Sequence, residues 1–535
     1  MKAKKLIAVL MSLLLVFTIL APVSAVAQDV CECDEVPIIY VRGRASIHVD
    51  KDGSWDESEN PSLPYVPDGF VEEALKELVP LYTKCYLTDD FEPFRIRFTE
   101  VMKELYKDYA LDNNGELTNN SGLMSAEYWR NKTITDIHKA NGTVDTPKKA
   151  TDEIYKYFFQ YDCRLDPCDI ADDLYDYIQT VKEVTGHQRI KILARCLGSN
   201  ILSAYFAEYG WADVDDVIIY NPVMNGTAVT NSLFNGEIYL DADAVDFTAT
   251  QELGDTTVFA LLKEIITLSN KLNGLDMTMA YFNKTLTKVA RLVVPDVMRV
   301  SYGTTPGYWS MVSADKYEEA RDYIFAGVED EYAGLIAKLD NYHETVGSKI
   351  IDMYKQIEED GVDVSFIAKY GYQLYPIMKD ASAQSDKIVT TEQQAPGTTC
   401  APIGSTLSDD YINSLKADGL DRYLSPDKQI DASTTQFPDT TWYIKNMEHN
   451  CFPFVVDELI YKIMRYDGKM TVWDDPDFTQ YIIYEGEENN GDTLTPMTEE
   501  KPGESLTQPG FFELVVSIFK NTVKLIGELI AKANK

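Results

Sequence analysis

Arg189-Ile-Lys-Ile-Leu-Ala-Arg-Cys-Leu-Gly-Ser-Asn-Ile-Leu-Ser-Ala-Tyr-Phe-Ala-Glu-Tyr-Gly210 is the stretch whose reading decides the fold. Ile190 to Ala194 is short and apolar, the composition of a buried strand. Leu197, Ile201, Ala204 and Tyr205 recur at helical spacing, and Gly210 is a natural helix end. Cys196 stands between the two elements, with Gly198 two residues on. A strand that turns at once into a helix leaves the residue at the turn strained, its side chain held above the sheet. A small residue two positions later lets the helix pass close to the strand. The helix N-terminus adds unpaired N–H groups and a positive dipole end, which hold an oxyanion and lower a thiol pKa.

This stretch resembles the nucleophile elbow of the α/β-hydrolase superfamily. It is most similar to the branch of bacterial lipases and lecithin:cholesterol acyltransferase-like enzymes, where the elbow reads roughly Ala/Gly-His-Ser-Met-Gly-Gly. Ala194, Arg195, Cys196, Leu197, Gly198 and Ser199 occupy those places, with Cys for the nucleophilic Ser and Ala for the first glycine. The resemblance implies a doubly wound, mostly parallel α/β sheet with Cys196 as nucleophile. Read without it, Cys196 is a structural or disulfide-bonded cysteine.

The same order continues along the chain. Val36 to Val41 is an apolar strand followed by Arg42-Gly43-Arg44. That turn is similar to the family's His-Gly loop with Arg for His. By this likeness the N–H groups of Arg44 and Leu197 would form the oxyanion hole. Ile154 to Tyr161 is an aromatic strand running into Asp162-Cys163-Arg164-Leu165-Asp166-Pro167, which resembles the family's Tyr-Asp-Trp-Arg stretch. A helix with Ile170, Leu174, Ile178 and Val181 on one face leads to the elbow strand, and Val217 to Tyr220 is the next strand. Asn221 to Thr227 then stands where the family often has Gly-Thr-Pro-His-x-Gly. Strands alternating with helices at this spacing predict a parallel sheet covered on both faces.

Val362 to Ala368 suits a returning strand, and two loops after it compete for a triad acid. Asp386 in Ser-Asp-Lys-Ile-Val comes soon after that strand, and Asp427 in Ser-Pro-Asp-Lys-Gln-Ile lies at the more usual separation from the candidate His. Both resemble the family's Asp-Gly-x-Val with Lys for Gly, and either residue alone is an ordinary turn former. Thr440 to Ile444 is expected to be the last strand, with His449 in the loop after it. Of the five histidines, His187 lies at the wrong end of the elbow strand, His138 and His343 lie in an insertion and a helical cap, and His48 follows the Arg42–Arg44 turn. The order Cys, Asp, His makes His449 the candidate general base.

Charge and composition bound the rest. A net charge of −37 argues against a nucleic-acid partner, because phosphate contacts need Lys and Arg. Residues 1–27 read as a secretory signal peptide, with Lys2, Lys4 and Lys5 before an apolar run and small residues at its end. The expected location is therefore outside the cell, where eight cysteines permit disulfides and Cys163 and Cys168 could staple one loop. The expected organisation is a hydrolase-type core over 28–246 with a helical insertion at 70–147, a helical cap over 247–360, the second part of the core over 361–484, an acidic linker over 485–509 and an amphipathic helix over 510–535. Pro80 and Pro93 are expected to break the insertion into separate helices. The C-terminal helix suits a membrane surface, a protein partner or the body of the chain itself.

No metal-ligand spacing, phosphate-binding glycine loop or internal repeat is present, so no cofactor is expected. The function expected is a lipase, esterase or acyltransferase acting on ester or thioester bonds of a lipid-like small molecule through a Cys-His-Asp triad. The alternative is a catalytically silent hydrolase-fold protein that binds material outside the cell.

Overall fold

Eight strands form one sheet in the order β10-β9-β8-β5-β4-β3-β1-β2. In chain order these are β1 (Ile38–Val41), β2 (Tyr157–Phe159), β3 (Ile190–Arg195), β4 (Val214–Tyr220), β5 (Asp363–Tyr370), β8 (Thr441–Lys445), β9 (Tyr481–Glu485) and β10 (Thr493–Pro496). All neighbours run parallel except β10, which pairs antiparallel with β9. A small antiparallel pair, β6 (Thr399–Cys400) and β7 (Ile430–Asp431), lies apart. The computed structural model describes residues 31, 35–43, 69–118, 150–252, 257–378, 380–486, 491–499, 501 and 517.

Period-two alternation sends strand side chains to two cores. Ile39, Val41, Ile192, Ala194, Val217, Ile219, Val364 and Phe366 face the first core, with helices Pro167–Thr185, Gly198–Tyr209 and Ile350–Glu359. Ile38, Tyr40, Leu193, Ile218, Tyr220, Ile367, Trp442 and Ile444 face the second, with helix Val455–Arg465. Each fully buried branched aliphatic contributes roughly 1.5–3 kcal/mol, so both faces must be covered for the sheet to persist. The architecture is α/β and doubly wound. The chain steps outward from β1 to β2, returns to β3 on the other side of β1, and then builds β4, β5, β8 and β9 in one direction. The order therefore reverses between β1 and β3, the place where open α/β sheets form a crevice at the carboxyl ends of their strands.

The helices of the first insertion, Phe70–Thr88 and Glu92–Tyr106, pack on helix Gly274–Arg299 through Cys85, Phe91, Val289 and Val293. These helices of the two helical regions are thus joined by an apolar contact of their own.

Several expectations are corrected. Pro80 lies inside one continuous helix rather than breaking it. Its missing N–H costs about 3 kcal/mol in a helix interior, and packing of Leu81, Tyr82 and Cys85 just beyond it holds the helix through. Pro93 starts the next helix, as its fixed φ favours. Thr441–Lys445 is not the last strand, because the aromatic, β-branched run Tyr481–Glu485 adds to its edge. The stretch read as the beginning of a linker supplies β10 and the buried Met497. Cys163 and Cys168 form no bridge; Cys163 is buried in the first core and Cys168 Sγ accepts from Asn341 Nδ2 at 3.6 Å. The leader at 1–27, His48, His138 and, apart from Ser517, the helix at 510–535 lie outside the described residues. The Ser517 hydroxyl bonds Glu264.

Candidate functional site

Cys196 stands where β3 hands over to helix Gly198–Tyr209, beside the β1–β3 reversal. Its φ is 50°, a left-handed conformation that costs a non-glycine residue of order 1–3 kcal/mol. The surroundings hold it there. Its N–H donates to the Tyr220 carbonyl at 3.1 Å, and its carbonyl accepts from the Ser199 N–H at 2.9 Å and the Ser199 hydroxyl at 2.6 Å. Gly198 is required by close approach: a Cβ there would stand 2.5 Å from the Val41 carbonyl oxygen and 2.7 Å from that of Arg42. Gly43 is pressed against Cys196 from the other side, since its Cβ would stand 2.9 Å from the Cβ of Cys196.

The thiol meets an imidazole from the far end of the chain. Cys196 Sγ lies 3.2 Å from His449 Nε2, and His449 Nδ1 lies 2.7 Å from Asp386 Oδ2. His449 and Asp386 are buried, whereas Cys196 is partly exposed. The other oxygen of Asp386 accepts from the N–H groups of Ile388 and Val389, at 3.1 and 2.8 Å. One oxygen therefore builds the turn while the other orients the ring. The His449 N–H also donates to the Asp386 carbonyl at 2.8 Å, tying the two loops together.

Burial alone would push the Cys196 thiol up. The charge and hydrogen bond of His449, the Leu197 N–H and the charge of Arg195 outweigh it and bring the thiol down to about 7. Burial would likewise lower His449, but the Asp386 carboxylate and the Cys196 thiolate raise it to about 9. The pair titrates as a unit, and between these values it is a thiolate facing an imidazolium.

Of the two acids left open by the sequence, only Asp386 reaches His449. Asp427 pairs with Lys445 Nζ at 2.9 Å, with both side chains about 3 % exposed. It also accepts from the Tyr370 hydroxyl at 3.1 Å and the Ser425 hydroxyl at 2.6 Å. Its place is under the end of β8, as a buried ion pair. Leu197 places its N–H on Cys196, while Arg44 lies outside the described residues. His343 is buried in the helical region, bonded to the Trp309 carbonyl and stacked on Tyr317, and burial lowers it to about 4.

Two supporting residues went unread. Lys369 on β5 is fully buried, and its ammonium donates to the carbonyls of Glu448, His449 and Cys451 at 3.0, 3.2 and 2.8 Å. Burial lowers it to about 7. Asn221, with φ of 55°, donates from Nδ2 to the His449 carbonyl at 3.0 Å. Together they clasp the loop that carries the imidazole. A lysine inside the apolar run Val-Ser-Phe-Ile-Ala-Lys-Tyr was the available signal, because an ammonium in a central strand needs partners.

Comparison with protein families, with curated proteins and with solved structures finds no match to this chain. Among the described residues no cluster of His, Cys, Asp or Glu could hold a metal ion, and no helix is long and apolar enough to cross a membrane.

Proposed function

We propose that this chain is an α/β-hydrolase-type enzyme, acting outside the cell, that transfers acyl groups from esters or thioesters through a covalent intermediate on Cys196. The observation that carries the reading is the unbroken chain of contacts Asp386–His449–Cys196 at the strand-to-helix turn. In the first step the Cys196 thiolate attacks the carbonyl carbon. The new C–S bond forms as the carbonyl π pair moves onto oxygen. The Leu197 N–H and a donor from the loop after β1, expected to be Arg44, receive that negative charge. The oxyanion collapses, the leaving oxygen or sulfur departs with its bonding pair, and the imidazolium of His449 protonates it. Neutral His449 then takes the proton of a water or an acceptor hydroxyl, which attacks the thioester and releases Cys196 as thiolate. Asp386 holds Nδ1 so that Nε2 faces the sulfur throughout. A thioester with Cys196 is more reactive toward acceptor thiols than an ordinary ester and comparable to it toward water and alcohols, so transfer stands beside hydrolysis.

The test is a burst assay with p-nitrophenyl acetate on the intact protein. A stoichiometric burst of p-nitrophenolate, an acetylated peptide containing Cys196 and loss of both in Cys196→Ala are expected. Absence of a burst, with Cys196 unmodified, would leave a binding role for this scaffold.

A further inference from the structure

The ends of β1 and β3 carry two arginines side by side. Val41 pairs with Ala194 in the parallel ladder, so Arg42 and Arg195 are the next residues of adjacent strands, and alternation turns both to the face that holds Tyr40, Leu193 and Tyr220. Arg195 directly precedes Cys196.

Neither guanidinium meets a carboxylate among the described residues. Arg195 lies over the Phe452 ring at 3.6 Å and the Tyr40 ring at 5.6 Å, and its buried Nε has no hydrogen-bond partner. Arg42 lies 5.8 Å from the Phe158 ring centre, and burial together with Arg195 holds it below its ordinary value. In a chain of net charge −37 this is anomalous. Arg164, Arg189, Arg321 and Arg465 each take an Asp or Glu. Two like charges desolvated together are unfavourable unless something negative joins them. A guanidinium stacked flat on an aromatic ring keeps its N–H edge for an in-plane oxyacid.

The cleft that Arg195 lines is shared with Tyr40, Tyr155, Tyr220, Phe452 and Asp457. Asp457 brings one negative charge of its own, bonded by the Tyr155 hydroxyl at 2.6 Å. Arg42, Arg195 and Lys369, whose ammonium also lies over the Phe452 ring at 4.4 Å, face Asp457 and the Cys196 thiolate, which leaves room for one further negative charge and suits a carboxylate better than a phosphate dianion. Arg42 lies on the β1 side of Cys196, whereas the leaving group must depart beside His449 to be protonated. The anion therefore belongs to the acyl part.

We propose that Arg42 and Arg195 form a carboxylate-binding subsite beside Cys196, and that the substrate is an ester or thioester of a short dicarboxylic acid, attacked at one carboxyl while the other is held. The substrate class rests on the acyl-transfer reading above; the anion subsite does not.

The experiment compares mono-p-nitrophenyl glutarate with p-nitrophenyl valerate, and measures glutarate and inorganic phosphate binding by calorimetry on the same protein. The wild type is expected to favour the glutarate monoester at least about tenfold in kcat/KM at low salt. Arg42→Gln and Arg195→Gln are expected to reduce that ratio by tenfold or more, and Arg195→Lys to restore part of it; circular dichroism checks that each variant is folded. Glutarate is expected to bind the wild type more tightly than phosphate does, and to be lost in the Gln variants. A wild-type ratio near one, a ratio unchanged in both Gln variants, or phosphate bound in preference to glutarate overturns the proposal. Glutarate bound by a protein whose Cys196 gives no burst keeps the subsite and sinks only the acyl-transfer reading. A burst without glutarate binding or preference sinks only the subsite.

Discussion

Replacing His449 by Gln tests the coupling at the centre of the site. The imidazole opposes the effect of burial on the Cys196 thiol and brings it to about 7. Without it, the two largest lowering influences are gone and the thiol returns toward its ordinary value of 9.0. At pH 7 the thiolate fraction then falls from about one half to about one hundredth. A more basic thiolate is a better nucleophile, and a Brønsted slope of about 0.4–0.5 returns roughly six- to tenfold over two pH units. The net loss in alkylation rate at pH 7 is therefore only about five- to eightfold, but the midpoint of the pH profile moves up by about two units. Iodoacetamide rates measured from pH 5 to 10, with peptide mapping of Cys196 and a melting curve for each variant, read both quantities. The sign is fixed: lowering the thiol pKa adds reactive thiolate between about 7 and 9, and that window closes in His449→Gln. A wild-type midpoint near 9, or one that does not move in a folded His449→Gln variant, refutes the thiolate–imidazolium assignment.

Three further outcomes are expected. Gly198→Ala brings a Cβ onto two backbone carbonyls that cannot yield independently, and should cost about 1–3 kcal/mol in urea unfolding; an unchanged midpoint would mean that helix and strand are not locked together. Asp427→Ala removes the buried carboxylate that faces the Lys445 ammonium and should destabilise by about 3–5 kcal/mol. Asp386→Asn should instead lower kcat with a smaller change in unfolding, and reversed phenotypes would exchange the two assignments. Lys369, lowered to about 7 by burial, takes up its proton more readily when unfolded. The stability of wild type relative to Lys369→Met should therefore rise from about pH 7 toward pH 10 and stay flat below it, and a flat difference across that range would show that Lys369 is charged throughout.

Much of the scaffold was legible because it is local. The apolar run Ile190–Ala194, the helical spacing after it and the small residue at 198 need no distant partner to be read. The same holds for the helix begun by Asp166 and Pro167, where the Asp166 carboxylate accepts from the Cys168 N–H at 3.0 Å. The edge of the sheet was less legible. β10 stands in the polar, turn-rich stretch that reads as linker and β9 just before it, and only the pairing of β9 with β8 and of β10 with β9 makes them strands.

The sequence by itself determined the alternation of strands and helices, the turn that exposes Cys196, and a short list of acids and imidazoles in a definite order. Periodicity and turn chemistry act within a few residues, and a chain carries that information openly. Tertiary structure alone decided that Asp386 rather than Asp427 turns to His449, that Lys369 and Asn221 clasp the imidazole loop, and that Arg42 and Arg195 lie abreast with no carboxylate on them among the described residues. These are matters of which strand ends lie next to one another. That is set when two hydrophobic faces close over a shared sheet, and groups 63 and 253 residues apart are brought within a hydrogen bond only by that closure.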